Sequence, residues 1–498
     1  MKNIFTNITD KFIIYLSIGF IMMCGALLRL YNITQNSFWI DEMATIHFST
    51  GSFIDIWNYT ANGEFNPPLF YWLESIIIHY FGVSELSMRF IPAIAGILTI
   101  PLMYFIIKKF TQDNFVGILG SSLMAFSIFM VYYAQEARAY TLALLFYMIA
   151  LYYYIDFINT YDTKYIRYVL IFSILAVYTH FYAAIGILIF IFHIAYIQKF
   201  VLFIVKDFIR FELPWLAASF AIMLPLITVT IDLFKSRTGM GVDWGADAYF
   251  LISNIFIQSS GYSVYICIVF MCLALIGLLF YVNNTVDALP IFNNKRSKQI
   301  FLILGFAVPI ISTLILANMI SMSVRYLIYI VPYFYLCISL ILMPLSNSLK
   351  LPMKCNQKLI IILLLFILIF GAAFINFSPL MTFHTQVTKA DYKGAALYLN
   401  ENICENDIII LLPEERKTAF NYYFKTNNIV YYANKYNVTN IENIINDNKY
   451  KQVYIVQVVV AEYVSETAEI NILLSKYNKK QFFAINIYNI TPQIKMDG

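Results

Sequence analysis

Two adjacent carboxylates stand beside the first apolar segment of this sequence. Asp41 and Glu42 follow residues 12–31 in the string SFWIDEM. Ionisable groups held at a membrane segment are costly and usually functional, and a carboxylate can take the proton of an attacking hydroxyl as a general base. We therefore predict that Asp41 and Glu42 are catalytic. The same pair could instead hold a divalent ion or cap a helix.

A second set of polar residues occurs at the ends of later apolar segments and is suited to binding an anion. These candidate substrate-binding residues are Asn66, Glu136, Arg138, His180, Tyr182 and Arg325. An arginine fork binds phosphate oxygens bidentately and stays charged when partly desolvated, and fixed donors stabilise charge that builds on a phosphate leaving group. The structural alternatives are an ion pair between Glu136 and Arg138, a hydrogen-bonded His180, and an Arg325 that only anchors a helix in the headgroups.

The composition indicates a polytopic membrane protein. The 498-residue chain is 60% hydrophobic and 12% charged, with a mean hydropathy of +0.70, which is outside the range of soluble domains. Apolar runs of bilayer-spanning length centre near residues 21, 98, 125, 148, 190, 222, 272, 309, 336 and 367, with an ambiguous one near 174. We expect a mostly α-helical chain of about eleven spans.

The distribution of lysine and arginine predicts the orientation. With a cytoplasmic N-terminus and alternating spans, the outer loops hold few basic residues, as the positive-inside rule requires. These are Arg29, Arg89, Arg138, Lys235, Arg237 and Arg325. The pattern holds only if residues 68–82 form an amphipathic helix at the outer interface rather than a span. Residues 32–89 would then be the first outer loop of a transmembrane domain, residues 1–377, in the plasma membrane.

The tail, residues 378–498, predicts a separate extracytoplasmic α/β domain. DYKGAALYLNEN and AEINILLSKYNK have helical patterns, whereas NDIIILLPEE, KQVYIVQVVV and QFFAINIYNI each predict a strand. The tail has no glycine-rich phosphate loop, so we expect no nucleotide cofactor. The net charge of +4 gives no reason to expect a nucleic-acid partner.

Several short motifs, in their order and spacing, resemble the membrane glycosyltransferases of the GT-C fold. They are SFWIDEM, NPPLFYWL, RFIPAIAGILTIPLMYFIIKKF, YYAQEARAYTLALLF, YTHFYAAIGI and RYLIYIVPYF. The resemblance covers roughly residues 10–345 and points to the bacterial protein-mannosyltransferase-like and aminoarabinose-transferase-like branch, glycosyltransferase family 39. It implies a polyprenyl-phosphate-linked sugar as donor and Asp41 as the catalytic base. Arg138 and Arg325 match basic positions of the pattern.

The sequence departs from this family pattern at two positions. Asn66 stands where family members often carry histidine or lysine, and His180 stands where the aminoarabinose branch carries a lysine. An uncharged Asn66 contributes less electrostatically to phosphate binding.

We therefore expect an integral-membrane glycosyltransferase that moves a sugar from a polyprenyl phosphate to an extracytoplasmic acceptor. Its partners would be this donor, a cell-envelope lipid, glycan or protein acceptor, and the bilayer. No cofactor is required, although a divalent metal could take part. The alternatives are a transporter or flippase of lipid-linked sugars, which would need polar groups at mid-membrane, and a polymerase or ligase that uses a diphosphate-linked donor.

Overall fold

The computed structural model describes residues 2–64, 66–198, 202–238, 246–284, 294–344, 370–433, 438–447, 449–459 and 468–491. The chain divides into two compact units. Residues 1–31 and 48–381 form the helical unit, and residues 32–47 and 382–498 form the C-terminal unit. The predicted span centred near residue 367 lies largely outside the described residues.

The helical unit is built from long apolar helices with short connections. In chain order the helices are α1 (Lys2–Leu30), α2 (Ile40–Ser49), α3 (Phe53–Ala61), α4 (Pro68–Phe81), α5 (Glu85–Thr111), α6 (Asn114–Phe126), α7 (Ile128–Ala134), α8 (Tyr140–Thr160), α9 (Lys164–Thr179), α10 (Ala183–Gln198), α11 (Leu202–Thr238), α12 (Ala248–Ser259), α13 (Val264–Asn284) and α14 (Asn294–Leu316). A 3₁₀ segment, Val324–Ile330, leads into α15 (Val331–Ser339). Helix α2 begins in the C-terminal unit and ends in the helical unit.

Among the described residues, seven helical segments are long and apolar enough to cross a membrane. They lie in α1, α5, α8, α11, α13 and α14 and in residues Val324–Leu342. The bent pair α6 and α7 makes an eighth if it counts as one span, and α10 and α12 contain shorter apolar helices. The predicted multi-pass helical class is confirmed. The predicted number of about eleven also counted four other segments. These are the bent pair near residue 125, the segments near residues 174 and 190, which form helices of 16 residues each, and the segment near residue 367, which lies largely outside the described residues.

Helix α4 occupies the segment that we predicted to lie at the membrane interface. It has 14 residues and is therefore about 21 Å long, shorter than the roughly 30 Å hydrocarbon core of a bilayer. Pro68 stands in its first turn, where the missing backbone N–H removes no helical hydrogen bond. Its buried face carries Phe70, Tyr71 and Glu74.

A buried arginine stabilises the break between α6 and α7, which is bent by 55°. The last carbonyl groups of a helix have no partner within it. Here Arg29 of α1 donates to the carbonyl oxygens of Met124 at 2.9 Å and Ala125 at 2.9 Å. Arg29 is completely buried, and its charge is used to satisfy these carbonyls.

The C-terminal unit contains a five-stranded mixed sheet with α-helices between its strands. Helix α16 (Phe377–Thr385) begins in the helical unit and ends in this one. The elements that follow are α17 (Tyr392–Asn402), β1 (Ile408–Leu412), α18 (Lys417–Tyr423), β2 (Ile429–Tyr432), α19 (Val438–Ile445), β3 (Val453–Val458), α20 (Ala468–Leu474), β4 (Lys479–Phe482) and β5 (Ile485–Ile490). The strand order is β2-β1-β3-β5-β4. Strand β1 pairs in parallel with β2 and β3, whereas β5 is antiparallel to β3 and β4. The predicted α/β class of the tail is confirmed.

The segment QFFAINIYNI departs from its prediction as one strand. It forms the end of β4 and all of β5, joined by a tight turn in which Ala484 has a φ of 54°. Alanine rarely adopts this left-handed conformation, and the segment contains no Asn-Gly or Asp-Gly pair to indicate a hairpin. An uninterrupted run of apolar residues, Phe482 to Ile485, passes through the turn, so the pattern alone does not reveal it.

Candidate active site

The two predicted catalytic acids lie in the first turn of α2, within the C-terminal unit. Carboxylates are favoured there because backbone N–H groups and the helix dipole attract negative charge. Asp41 is half-buried, whereas Glu42 is completely buried. The hydroxyl of Thr45 donates to the backbone carbonyl of Asp41 at 3.2 Å. The two acids thus occupy different environments, although they are neighbours in sequence.

Glu42 is held by a lysine from the far end of the chain. Its Oε2 accepts a hydrogen bond from Lys389 Nζ at 3.2 Å and one from the backbone N–H of Trp39 at 3.3 Å. Both side chains of the ion pair are buried, and the lysine ammonium lies 5.4 Å from the centre of the Trp39 ring. Glu42 therefore already has a cationic partner, an arrangement that does not favour a divalent ion at this carboxylate. Among the described residues, no group of three or more His, Cys, Asp and Glu side chains could hold a metal ion.

The segment that precedes α2 is anchored in the C-terminal unit by further hydrogen bonds. Asn36 Oδ1 accepts from the backbone N–H of Thr388 at 2.8 Å. The N–H of Phe38 donates to the hydroxyl of Tyr423 at 2.7 Å, and the N–H of Lys393 donates to Ser37 at 3.1 Å. These contacts explain why residues 32–47 belong to the C-terminal unit.

The predicted substrate-binding residues lie in the helical unit, at the ends of helices or in the connections between them. Asn66 precedes α4, Glu136 and Arg138 connect α7 to α8, His180 and Tyr182 connect α9 to α10, and Arg325 opens the 3₁₀ segment. Contacts and electrostatic interactions link five of these residues, all except Glu136, into one cluster, described below.

Asn66 belongs to a buried hydrogen-bonded triad. Its Nδ2 donates to Glu64 Oε1 at 3.3 Å and to Tyr71 Oη at 3.2 Å, and Tyr71 donates to the same Glu64 oxygen at 2.6 Å. Burial and the Glu64 charge raise the pKa of Tyr71 well above its usual value, whereas Arg138 acts in the opposite direction. Arg138 therefore lies within electrostatic range of the triad. The amide group of Asn66 is therefore hydrogen-bonded within the protein.

Two arginines flank an aromatic group around His180. The guanidinium of Arg138 lies 5.9 Å from the Tyr140 ring centre, and that of Arg325 lies 5.5 Å from the same ring. Burial together with the positive charges of Arg138 and Arg325 lowers the pKa of His180 to about 3. His180 Nδ1 is also 3.3 Å from the hydroxyl of Tyr329. Both effects favour the neutral form of the His180 ring at physiological pH.

Tyr182 and Tyr326 form a stacked pair beside His180. Their ring centres are 4.3 Å apart with an interplanar angle of 17°, and both rings lie 5.5 Å from the His180 ring. Arg237, near the end of α11, interacts electrostatically with both tyrosines and with Glu64. The sequence prediction did not include Glu64, Tyr140, Tyr326 or Arg237 among the site residues. The signal for Glu64, Tyr140 and Tyr326 was their position within two residues of predicted ones, and for Arg237 it was its place among the few basic residues of the predicted outer loops.

Glu136 has a different neighbourhood from Arg138. Glu136 is completely buried. The burial of Tyr262, and to a smaller extent the charge of Glu136, raise the pKa of Tyr262 to about 12. Next to it, Gln135 donates to the carbonyl oxygens of Arg29 at 3.1 Å and Tyr31 at 2.8 Å. The first part of the QEAR motif thus fixes the connection between α7 and α8 onto the end of α1, and the last part faces the cluster.

These residues form what we call the arginine–tyrosine cluster: Glu64, Asn66, Tyr71, Arg138, Tyr140, His180, Tyr182, Arg237, Arg325 and Tyr326. It contains three guanidinium groups and one carboxylate, so its formal charge is positive. Arginine forks bind phosphate oxygens, and aromatic rings offer flat apolar surfaces with polar edges. This arrangement can bind a phosphorylated ligand that also carries a ring.

Residues 66–231 match the family model described as dolichyl-phosphate-mannose-protein mannosyltransferase. The matched region contains Asn66, Glu136, Arg138, His180 and Tyr182. Two uncharacterised proteins of Aquifex aeolicus (strain VF5) are similar over shorter stretches. One is 26% identical over 22% of this chain, and the other is 36% identical over 20% of it. The chain spans 23% of the length of each of these relatives.

Solved structures share the fold over nearly the whole chain. ArnT from Cupriavidus metallidurans in the apo state has a TM-score of 0.57 at 9% identity, and the match covers 97% of this chain and 100% of the ArnT chain. The same protein bound to undecaprenyl phosphate has a TM-score of 0.55 at 10% identity, with 96% and 99% covered. The archaeal oligosaccharyltransferase AglB from Archaeoglobus fulgidus, in complex with an inhibitory peptide and a dolichol-phosphate, has a TM-score of 0.55 at 11% identity, with 98% and 75% covered.

At these identities the structural likeness establishes the fold, and the family match covers a third of the chain. Both agree with the resemblance that the sequence motifs indicated. The chain is a multi-pass membrane protein with the GT-C fold, similar through residues 66–231 to the dolichyl-phosphate-mannose-protein mannosyltransferase family.

Proposed function

We propose that this protein is a membrane glycosyltransferase that transfers a sugar from a polyprenyl-phosphate donor to an extracytoplasmic acceptor. The observation that carries the proposal is the arginine–tyrosine cluster, in which Arg138 and Arg325 flank the Tyr140 ring beside a neutral His180. The motif match and the fold support it, since structures with this fold include one bound to undecaprenyl phosphate and one with a dolichol-phosphate.

The proposed reaction is a single displacement with inversion at the sugar. The acceptor hydroxyl oxygen attacks the anomeric carbon, the bond from that carbon to the phosphate oxygen breaks, and polyprenyl phosphate leaves with the bonding electrons. Asp41 takes the hydroxyl proton, a role for which its half-buried carboxylate at a helix start is suited. Arg138 and Arg325 stabilise the negative charge on the leaving phosphate.

The other predicted residues take supporting roles in this proposal. Tyr182, stacked on Tyr326, offers a ring surface for the sugar. Asn66 fixes Glu64 and Tyr71, and Glu136 shapes the connection that carries Arg138. Glu42, paired with Lys389, helps to position Asp41 and does not accept the proton itself. The proposed setting is the outer side of the plasma membrane, as the lysine and arginine distribution predicts.

Substitution of Asp41 tests the proposal. Asp41→Asn keeps the size of the side chain but removes the base, so turnover should fall by roughly 10²–10⁴-fold, with binding of polyprenyl phosphate retained. Asp55→Asn is a matched control, because Asp55 is another acid in the first turn of a helix, α3, and its carboxylate accepts from Ser52 at 2.7 Å. Near-normal turnover by a folded Asp41→Asn protein would rule out Asp41 as the base.

A further inference from the structure

The Lys389–Glu42 ion pair joins the two chain segments of the C-terminal unit beside Asp41, the residue proposed as the base. Its N–O distance is 3.2 Å, and the exposed fractions of the two side chains are 8% for Lys389 and 0% for Glu42. Removing one partner of a buried pair leaves an uncompensated buried charge, which is strongly unfavourable. The pair is therefore a strict constraint on the first turn of α2.

Three further contacts stabilise the start of α2 and the residues that precede it. Glu42 also accepts the N–H of Trp39, the residue that immediately precedes α2. Lys389 lies against the Trp39 ring at 5.4 Å, and its own backbone N–H donates to Asn36 Oδ1 at 3.3 Å. Asp41 lies between the constrained residues Trp39 and Glu42. Its position therefore depends on Lys389, more than three hundred residues away in sequence.

We infer that Lys389 is a positioning residue for the transfer reaction and that it acts through Glu42 on Asp41. This inference rests on the proposed function of Asp41. It assigns a catalytic role to a residue of the chain segment 382–498, which lies in the same unit as Asp41. It also assigns Glu42 a supporting role in place of acid–base or metal chemistry.

The test compares three changes to the pair in the full-length protein reconstituted in lipid. Lys389→Met removes the cation paired with the buried Glu42 and should lower kcat at least tenfold, with the KM for the lipid-linked donor changed less than twofold. Lys389→Arg keeps a cation and should retain most of kcat. The double variant Lys389→Met with Glu42→Gln removes both charges and should recover at least half of the lost kcat on a logarithmic scale.

The chain offers a matched control for this experiment. Lys417 forms an ion pair of similar length, 3.3 Å, with Glu414 in the same unit, but both side chains are about half exposed. Exposed pairs contribute little, so Lys417→Met should leave kcat unchanged. If Lys389→Met cannot be purified folded, the double variant decides, because it buries no unpaired charge.

The outcomes separate this inference from the proposed function. An inactive Asp41→Asn together with a Lys389→Met protein of wild-type kcat overturns the positioning role and leaves the base assignment standing. Loss of kcat in Lys389→Met without recovery in the double variant also overturns it, because the effect would then not act through Glu42. An active Asp41→Asn overturns the proposed base, whatever the lysine variants do.

Discussion

Replacing Arg138 should weaken phosphate binding selectively. Arg138 is 8% exposed, so its guanidinium acts in a partly desolvated site where charge-assisted hydrogen bonds are worth about 1.5–3 kcal/mol each. Because about 1.4 kcal/mol corresponds to a tenfold change in affinity, Arg138→Gln should raise the Kd for polyprenyl phosphate by roughly 10–150-fold. Arg138→Lys keeps the charge but loses the fork, so its Kd should lie between the Kd of the wild type and that of Arg138→Gln.

The assay measures equilibrium binding of two lipids to the purified protein in nanodiscs. Polyprenyl phosphate and a polyprenol of the same length differ only in the phosphate, so the ratio of their affinities isolates its contribution. Arg138→Gln should lower this ratio without changing polyprenol binding. Arg167→Gln is the control, because Arg167 is paired with Glu212 at 3.0 Å and contacts the ring of Trp215 rather than the cluster. An unchanged ratio in a folded Arg138→Gln protein would refute the phosphate role.

Two further predictions concern the same cluster. Burial and neighbouring positive charges lower the pKa of His180 to about 3, so the ring stays neutral as the pH falls from 8 to about 4. The contribution of this neutral ring to the free energy of unfolding is complete above about pH 6.5 and is lost as the pH falls towards 3. The pH–rate profiles of wild type and His180→Gln should therefore have the same shape between pH 5 and 8, and a limb that disappears in the variant would contradict this. Tyr71→Phe removes the 2.6 Å hydrogen bond to buried Glu64 and should lower the free energy of unfolding by about 1–3 kcal/mol, measured as thermal stability in detergent. Tyr80→Phe, at a 74% exposed position of the same helix, should have no effect, and equal stability of the two variants would exclude a stabilising role for the triad.

The sequence predicted those parts of the fold that depend on local hydrophobic patterns. The spans near residues 21, 98, 148, 222, 272, 309 and 336 correspond to helical segments able to cross a membrane, because a long apolar run has few alternatives to a helix. The strands in NDIIILLPEE and KQVYIVQVVV are the central β1 and β3, whose residues are all buried. Buried parallel strands appear as continuous apolar runs, so they were visible without a structure.

The sequence did not predict features that depend on distant contacts. Nothing local indicates that residues 32–47 belong with the C-terminal unit, since the hydrogen bonds that place them there join residues about 350 positions apart. Lys389 could not be recognised as the partner of Glu42 for the same reason. Strand β2 was also missed, because it is only four residues long, Ile429–Tyr432, at the short end of the length that indicates a strand.

The candidate site was predicted in part because its residues lie in short motifs at the ends of apolar segments. Arg138, His180, Tyr182 and Arg325 were chosen from the sequence and lie in one cluster. The protonation of His180 could not be predicted, because it depends on burial and on two arginines from other loops. The role of Asn66 within a triad with Tyr71 likewise depends on side-chain geometry.

Mass spectrometry of lipid-linked sugars and envelope glycans tests the central claim most directly. It compares cells that express the wild-type protein, the Asp41→Asn variant, or neither. The account predicts that one envelope component carries an additional sugar only with the wild-type protein, and that the matching polyprenyl-phosphate sugar accumulates in the other two cases. Identical profiles in cells with confirmed expression, or the added sugar appearing with Asp41→Asn as with wild type, would contradict it.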